Sequence, residues 1–343
     1  MPIQVFLGTG GVGKTSVAAA TALKTALGGG KCLVLTIDPA KRLRTALGMD
    51  SSGSDQRVPL DLPAGRGELW AALLDVRASL DRAVHRYAEP DVAKAILEHP
   101  VYHLLITSLA GMQELMAVER IHQAREDGFE FIFIDTAPSR HALEFLDKPE
   151  FFSHLVSFPI VKLVGRTYKW WVKSWISRLS KMSFELYSRV EEILGTTLVH
   201  DVLDFFAIFR NTAEGYADRA ERTLSVLRDP HITSFTIVTT PFKAKRDGEY
   251  FLKELEKRKF PVGAMVVNRL WPEFSTKLPP ESPPQVQELV TWYKDVSTAH
   301  SRIWEEVSLN FLEKIPKLVR LPELAGDLDG LQALYEMAKK MEL

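Results

Sequence analysis

The chain has 343 residues, of which 46% are hydrophobic and 25% charged. At roughly 100–200 residues per domain, that is two domains or one α/β unit with a large insertion. Lys plus Arg is 43 against Asp plus Glu 44, a net charge of -1, so no whole-molecule attraction to nucleic acid or anionic lipid is expected, although a local patch stays open. The single cysteine, Cys32, excludes an intramolecular disulfide framework, a Cys-pair zinc site and a cluster of thiolates from one chain.

Ile3 to Leu7 is a short apolar run that breaks at Gly8. A glycine-rich stretch, Gly8 to Ser16, follows, then an Ala-rich helical pattern from Val17 to Leu27 that Gly28-Gly29-Gly30 ends. Lys31 to Ile37 reads as a strand buried on both faces, the kind found in parallel sheets. Further apolar runs recur at Leu69–Val76, Phe129–Ile134, Phe235–Thr239, Ala264–Val267 and Leu318–Leu321. Helical patterns lie between several of them, which predicts an α/β fold with a doubly wound, mostly parallel sheet.

Two stretches break the alternation. Leu80 to His122 and Phe151 to Leu227 are helical in period and lack strand signals, so they read as a helical subdomain inserted beside the sheet. The expected division is a phosphate-loop domain over 1–79, 111–150 and 228–343, with the insertion over 80–110 and 151–227. Ser275 to Pro284 holds four prolines and is expected to be a loop. No stretch reaches the ~20 apolar residues of a membrane span, and no basic-apolar-cleavage pattern opens the chain. A soluble, cytoplasmic protein is expected.

Gly8-x4-Gly13-Lys14-Thr15 matches the eight-residue phosphate-loop pattern, with a strand before it and a helix after it. Glycines at 8, 10, 11 and 13, with Val12 and Ser16, let successive backbone N–H groups converge on phosphate oxygens. The helix start adds the positive end of its dipole. Lys14 would reach the β- and γ-phosphates, and the Thr15 hydroxyl would bind Mg²⁺ directly. Asp135 ends the apolar run from Phe131, suited to hold Mg²⁺ through water. Asp38 ends the run from Lys31 and could orient or deprotonate an attacking water, or hold Mg²⁺ through water. For both, an Asp capping the next helix is the alternative. No Asn/Thr-Lys-x-Asp guanine-reading motif occurs, which favours ATP over GTP.

The stretches GTGGVGKTS, TIDPAKRL (Thr36–Leu43) and DTAPSRHALEFLDKP (Asp135–Pro149) resemble the arsenite-pump ATPase family, ArsA-like, which includes the ATPases that target tail-anchored membrane proteins. Weaker echoes are GMQEL (Gly111–Leu115), VTTP (Val238–Pro241), VVNRL (Val266–Leu270) and LPELAGDLDGL (Leu321–Leu331). The resemblance implies a P-loop NTPase fold of the MinD/ParA-like kind and a nucleotide-operated homodimer. It implies switch segments at Asp38–Leu43 and Asp135–His141, with Asp38 polarising the attacking water. It further implies that Asn268 reads the adenine edge, that the Pro322 loop flanks the base, and that nucleotide reshapes a helical surface carrying cargo.

The pattern departs at two points. The family's second phosphate-loop lysine, which reaches across the dimer onto the partner's nucleotide, is Thr9 here, so cross-subunit charge stabilisation would have to come from elsewhere, with Arg42 and Arg140 as candidates. Arsenite binding through several cysteines, and a Cys-x-x-Cys zinc clasp, are both unavailable to a chain with Cys32 alone. His99 and His103 are four apart, but Pro100 lies between them and a metal site there is disfavoured.

Lys162 to Lys181 carries six basic residues and no acidic one, interleaved with Tyr168, Trp170, Trp171 and Trp175. On a helix, an aromatic stripe and a basic stripe would fall on different faces. Two readings stand for the segment 160–182: a surface helix packing its aromatic stripe, or a site for a hydrophobic client protein or membrane surface. No nucleic-acid recognition module accompanies the charge. The expected function is a Mg²⁺-dependent ATP hydrolase acting as a dimeric switch for such a partner. The alternative is a nucleotide-binding regulator or scaffold with little hydrolysis. A MinD/ParA-type partitioning role is disfavoured by the long helical insertions and the DTAPSRHAL segment.

Overall fold

In the computed structural model, residues 2–38, 42–47, 55–60, 67–103, 112–137, 205, 208, 221–273, 278–279, 281–324 and 330–341 are described. The segment 160–182, Arg140 and the side chain of Arg42 lie outside them. The chain divides into two compact units: Met1–Leu74 with Ile121–Leu143 and Ser225–Leu343, and Asp75–Arg120 with Glu144–Leu224.

The first unit is built on an eight-stranded sheet. In chain order its strands are β1 (Ile3–Leu7), β2 (Lys31–Thr36), β3 (Asp55–Arg57), β4 (Glu68–Leu73), β5 (Phe131–Asp135), β6 (Thr233–Thr239), β7 (Val262–Leu270) and β8 (Lys317–Pro322). Across the sheet they run β3-β4-β2-β5-β1-β6-β7-β8. Every pairing is parallel except that of β3 with β4. The strands between the edges read as unbroken apolar runs because both of their faces are covered.

On one face, helix α1 (Lys14–Leu27), helix α2 (Arg42–Leu47) and helix α8 (Leu331–Lys340) share a core with Phe6, Val34, Phe133, Val238 and Val319. Alanines 18, 19, 20, 22 and 26 of α1 are fully buried; their small side chains let the helix lie close to the strands. The opposite face takes helix α6 (Ala244–Arg258) and helix α7 (Pro284–Phe311). There, a Cβ added to Gly248 of α6 would come within 2.9 Å of Met265 on β7 and 2.8 Å of Phe311 on α7. Helices on both faces make the sheet doubly wound, as the alternating pattern requires.

Three local expectations shift. The run at Leu69–Val76 splits, because the Asp75 side chain accepts the Ala78 N–H and starts helix α3 (Val76–Tyr87). Pro284 leaves the loop and opens α7, where a missing N–H costs nothing. The edge strand β3 has no apolar run to announce it: its residues are Asp, Gln and Arg.

The described part of the second unit includes α3, helix α4 (Pro90–Glu98) and most of helix α5 (Met112–Glu126). The Tyr87 hydroxyl donates to buried Glu119 at 3.0 Å, and Phe205 is fully buried. Among the described residues, no helix is long and apolar enough to cross a membrane.

Phe6 is fully buried in β1, two residues before the glycine loop. Phe6→Ala is expected to cost about 3–5 kcal/mol through lost burial and an unfilled cavity. Urea unfolding of the two proteins measures it as a lower midpoint at unchanged slope.

Candidate functional site

The sheet register assembles the site. Phe6 of β1 lies opposite Asp135 of β5, and Asp135 lies opposite Thr36 of β2. The carboxyl ends of three adjacent parallel strands therefore deliver the glycine loop, Asp135 and Asp38 to one edge of the sheet, where ligands bind in open α/β architectures. The loop turns into α1 at Gly13, whose φ of 87° is left-handed and favours glycine. A Cβ there would also collide with the Asn268 amide nitrogen.

Lys14 and Thr15 are the first two residues of α1 and are buried, at 4% and 8% exposure. The Thr15 hydroxyl donates to Asp135 Oδ2 at 2.7 Å, and the Thr36 hydroxyl donates to the same oxygen at 3.1 Å. The Lys14 ammonium stands 3.9 Å from Asp135 Oδ1. That Oδ1 accepts no hydrogen bond among the described residues and is out of reach of solvent. Burial pushes the Asp135 carboxyl above the usual carboxylate range, against the pull of Lys14, Thr15 and Thr36, while the Asp38 charge adds to the rise.

Asp38 is 5% exposed, and its backbone N–H donates to the Thr36 hydroxyl at 3.2 Å. Thr36 thus joins both acidic strand ends. A second threonine, Thr136, donates to the Phe6 carbonyl at 2.8 Å and fixes the exit of β5 against β1. A buried carboxylate with a vacant lone pair beside a hydroxyl suits a hard cation such as Mg²⁺, which prefers oxygen ligands. Thr15 and Asp135 form such a set, with Asp38 close enough for its charge to act on Asp135.

The remaining expected residues fall on the same edge. Asn268 of β7 is 2% exposed; its amide donates to the Val12 carbonyl at 2.9 Å and accepts the Arg269 N–H at 3.0 Å. Pro322 ends β8 opposite Leu270, three strands from β1 in the sheet. Gly10 and Gly11 are exposed, and Ser16 is half-buried.

Sequence reasoning missed two loop contacts. The Thr9 hydroxyl donates to Asp247 Oδ2 of α6 at 2.7 Å, and Lys243 Nζ donates to the Gly10 carbonyl at 3.3 Å. Their sequence separations of 238 and 233 residues leave no local signal. Elsewhere, His99 Nδ1 accepts the Val101 N–H at 3.2 Å and the His103 ring lies edge-on to Tyr102. Among the described residues, no three His, Cys, Asp or Glu side chains group as metal ligands. The Cys32 thiol is buried and pushed up to about 12, first by desolvation and then by the charge of Glu130.

Comparison with known proteins agrees with this architecture. ATPase GET3C of Arabidopsis thaliana is 28% identical over 280 residues, covering 78% of this chain and 66% of that protein. A putative arsenical pump-driving ATPase of Prosthecochloris vibrioformis is 30% identical over 184 residues, 53% of this chain and 43% of its own. ATPase get3 of Schizosaccharomyces japonicus is 23% identical over 333 residues, 96% and 89% respectively. The chain thus spans just under two thirds of the first of these relatives and less than half of the second. A family model described as anion-transporting ATPase matches residues 1–342. With the glycine loop, the paired acidic strand ends and a match of that extent, the chain belongs to the ArsA anion-transporting ATPase family.

Proposed function

We propose that this protein hydrolyses ATP with Mg²⁺ and works as a dimeric, cytoplasmic switch that couples nucleotide state to binding a hydrophobic protein or membrane-surface partner. The observation that carries the hydrolytic part is the triangle of Thr15, Asp135 and Thr36 beside Lys14 and Asp38, at the mouth of the glycine loop. Backbone N–H groups of Gly8 to Ser16 would take the phosphate oxygens. The Lys14 ammonium would leave Asp135 for the β- and γ-phosphates, and the Thr15 hydroxyl with the Asp135 carboxylate would hold the metal. Bound Mg²⁺ supplies charge neutralisation on those oxygens. Asp38 would orient the attacking water and accept its proton. Asn268 and the Pro322 strand end would flank the adenine. The domain division expected from sequence is part of this proposal.

The partner is proposed from the basic, tryptophan-bearing segment 160–182 and from kinship with a family that includes ATPases named GET3. Arsenical pumping, named for some relatives, is not carried over, because one buried thiol held protonated cannot furnish several thiolate ligands. A nucleotide-binding scaffold with little hydrolysis is the second reading, favoured by Thr9 standing where the family resemblance leads one to expect a lysine. To test the switch, a fluorescent hydrophobic helical peptide is titrated into the Asp38→Asn protein with ATP or ADP. Tighter binding with ATP, lost on replacing Trp171 and Trp175 by alanine, supports it; nucleotide-independent binding counts against it.

A pH dependence follows from the raised Asp135 carboxyl. A proton competes with a metal for this oxygen, so Mg²⁺ binding fails at a higher pH than an ordinary carboxylate would allow. The sign for stability is the reverse. A folded pKa above the unfolded value means the metal-free protein gains stability as pH falls and loses it as pH rises through the raised pKa. The thermal shift produced by Mg²⁺ with ADP should therefore be largest at neutral pH and shrink toward acid. Differential scanning fluorimetry across that range measures it.

A further inference from the structure

We propose that Asp247 is a positioning residue for the phosphate loop, acting through the Thr9 hydroxyl within its own chain. The inference rests on reading that loop as a nucleotide site. A glycine-rich loop is entropically expensive to hold in one conformation, and loop amides spread over several conformers give poor anion binding. Here the loop is gripped from outside at three points, by Lys243 just before α6, by Asp247 in the first turn of α6 and by Asn268 on β7. Asp247 takes the Thr9 hydroxyl at 2.7 Å, Lys243 reaches the Gly10 carbonyl at 3.3 Å, and Asn268 reaches the Val12 carbonyl at 2.9 Å. Each contact uses an oxygen of the loop, so its N–H groups remain for a phosphate.

Of the three grips, that of Asp247 is the shortest. Asp247 is 1% exposed, although it sits in the first turn of α6, next to Arg246, whose side chain is 67% exposed with its Nε 3.4 Å from the other carboxylate oxygen. A buried carboxylate needs its hydrogen bonds, and a hydroxyl at 2.7 Å makes a charge-assisted one. Moving Thr9 away would strip the acid of that donor, so the pair resists displacement from both ends. The helix itself is seated by Gly248, which admits Phe311 and Met265 at 2.8 and 2.9 Å from the position of a Cβ. Asp247 is thereby fixed to the sheet through α6 and transfers that rigidity to the loop.

Position 9 is consequently occupied inside its own subunit. A nucleotide that pulls the front of the loop would be felt by α6 through this pair, and the reverse also holds, since coupling between sites is reciprocal.

The test is calorimetric ADP binding, with Mg²⁺, to the full chain and four variants. Thr9→Val keeps the shape and removes the hydroxyl; Thr9→Ser keeps the hydroxyl. Asp247→Ala removes the acceptor, and the double variant Thr9→Val/Asp247→Ala closes the cycle. Thr9→Val is expected to weaken ADP binding about tenfold, the worth of one hydrogen bond to a charged group. Thr9→Ser recovers what Thr9→Val loses, and the double variant binds no more weakly than the weaker single one. If Asp247→Ala does not fold, the Thr9→Val and Thr9→Ser pair decides alone. Wild-type protein that binds ADP no better than its Thr9→Val variant overturns the positioning role and leaves the nucleotide reading intact. Losses that multiply in the double variant overturn it too. Wild-type protein that binds no ADP at all overturns both.

Discussion

Replacing Lys14 by methionine should lower ATP turnover by about 10²–10³-fold, the usual loss when one preorganised charge donor is removed from a transition state. The side chain is 4% exposed and its ammonium stands 3.9 Å from Asp135 Oδ1. It is thus desolvated before any substrate arrives, and its charge acts at low effective dielectric. Methionine keeps most of the length and the apolar stem, so the loss reports the charge rather than a cavity. Removing the cation also takes away the main influence holding the Asp135 carboxyl down. That carboxyl should then protonate at still higher pH, and the variant should need more Mg²⁺ for the same thermal shift. Steady-state phosphate release at saturating ATP, with a Mg²⁺ titration beside it, measures both effects.

Asp38→Asn should lower turnover by about 10²–10⁴-fold, the range for loss of a positioned general base, with ADP binding retained. Asp38 follows the end of β2, and its backbone is held by the Thr36 hydroxyl at 3.2 Å. Asparagine fits the same space and the same backbone tie, so loop geometry should persist. The charge of Asp38 raises the pKa of Asp135, so the variant should also bind Mg²⁺ at slightly lower pH than wild type does. Single-turnover kinetics separates the chemical step from release of product. A matching fall in ADP affinity would assign Asp38 to binding rather than to chemistry.

The two predictions rest on parts of the site that the sequence makes legible. The apolar run Ile3–Leu7, the glycines and the Ala-rich helix are contiguous, so the strand-loop-helix unit can be read without knowing the sheet. Asp135 and Asp38 are legible because each closes an apolar run, and a parallel strand ends where ligands bind. What brings them together is the strand order, with β5 inserted between β2 and β1. Periodicity along the chain carries no information about that order. The same holds for Asp247 and Lys243, whose contacts with the loop span more than two hundred residues. Asn268 is a mixed case. The family resemblance alone makes it an expected site residue, whereas its bond to Val12 depends on β7 lying two strands from β1. The edge strand β3 is illegible for another reason. Three polar residues paired antiparallel to β4 bury too little to impose an alternating pattern.

The edge formed by β2, β5 and β1 is proposed to hydrolyse ATP with Mg²⁺. The most direct measurement is multiple-turnover phosphate release by purified wild-type protein, with and without Mg²⁺, beside the Asp38→Asn variant at equal nucleotide occupancy. Release should require Mg²⁺ and be nearly abolished by Asp38→Asn while ADP remains bound. Nucleotide bound by the wild-type protein without Mg²⁺-dependent release, or equal release by the two proteins, would contradict it.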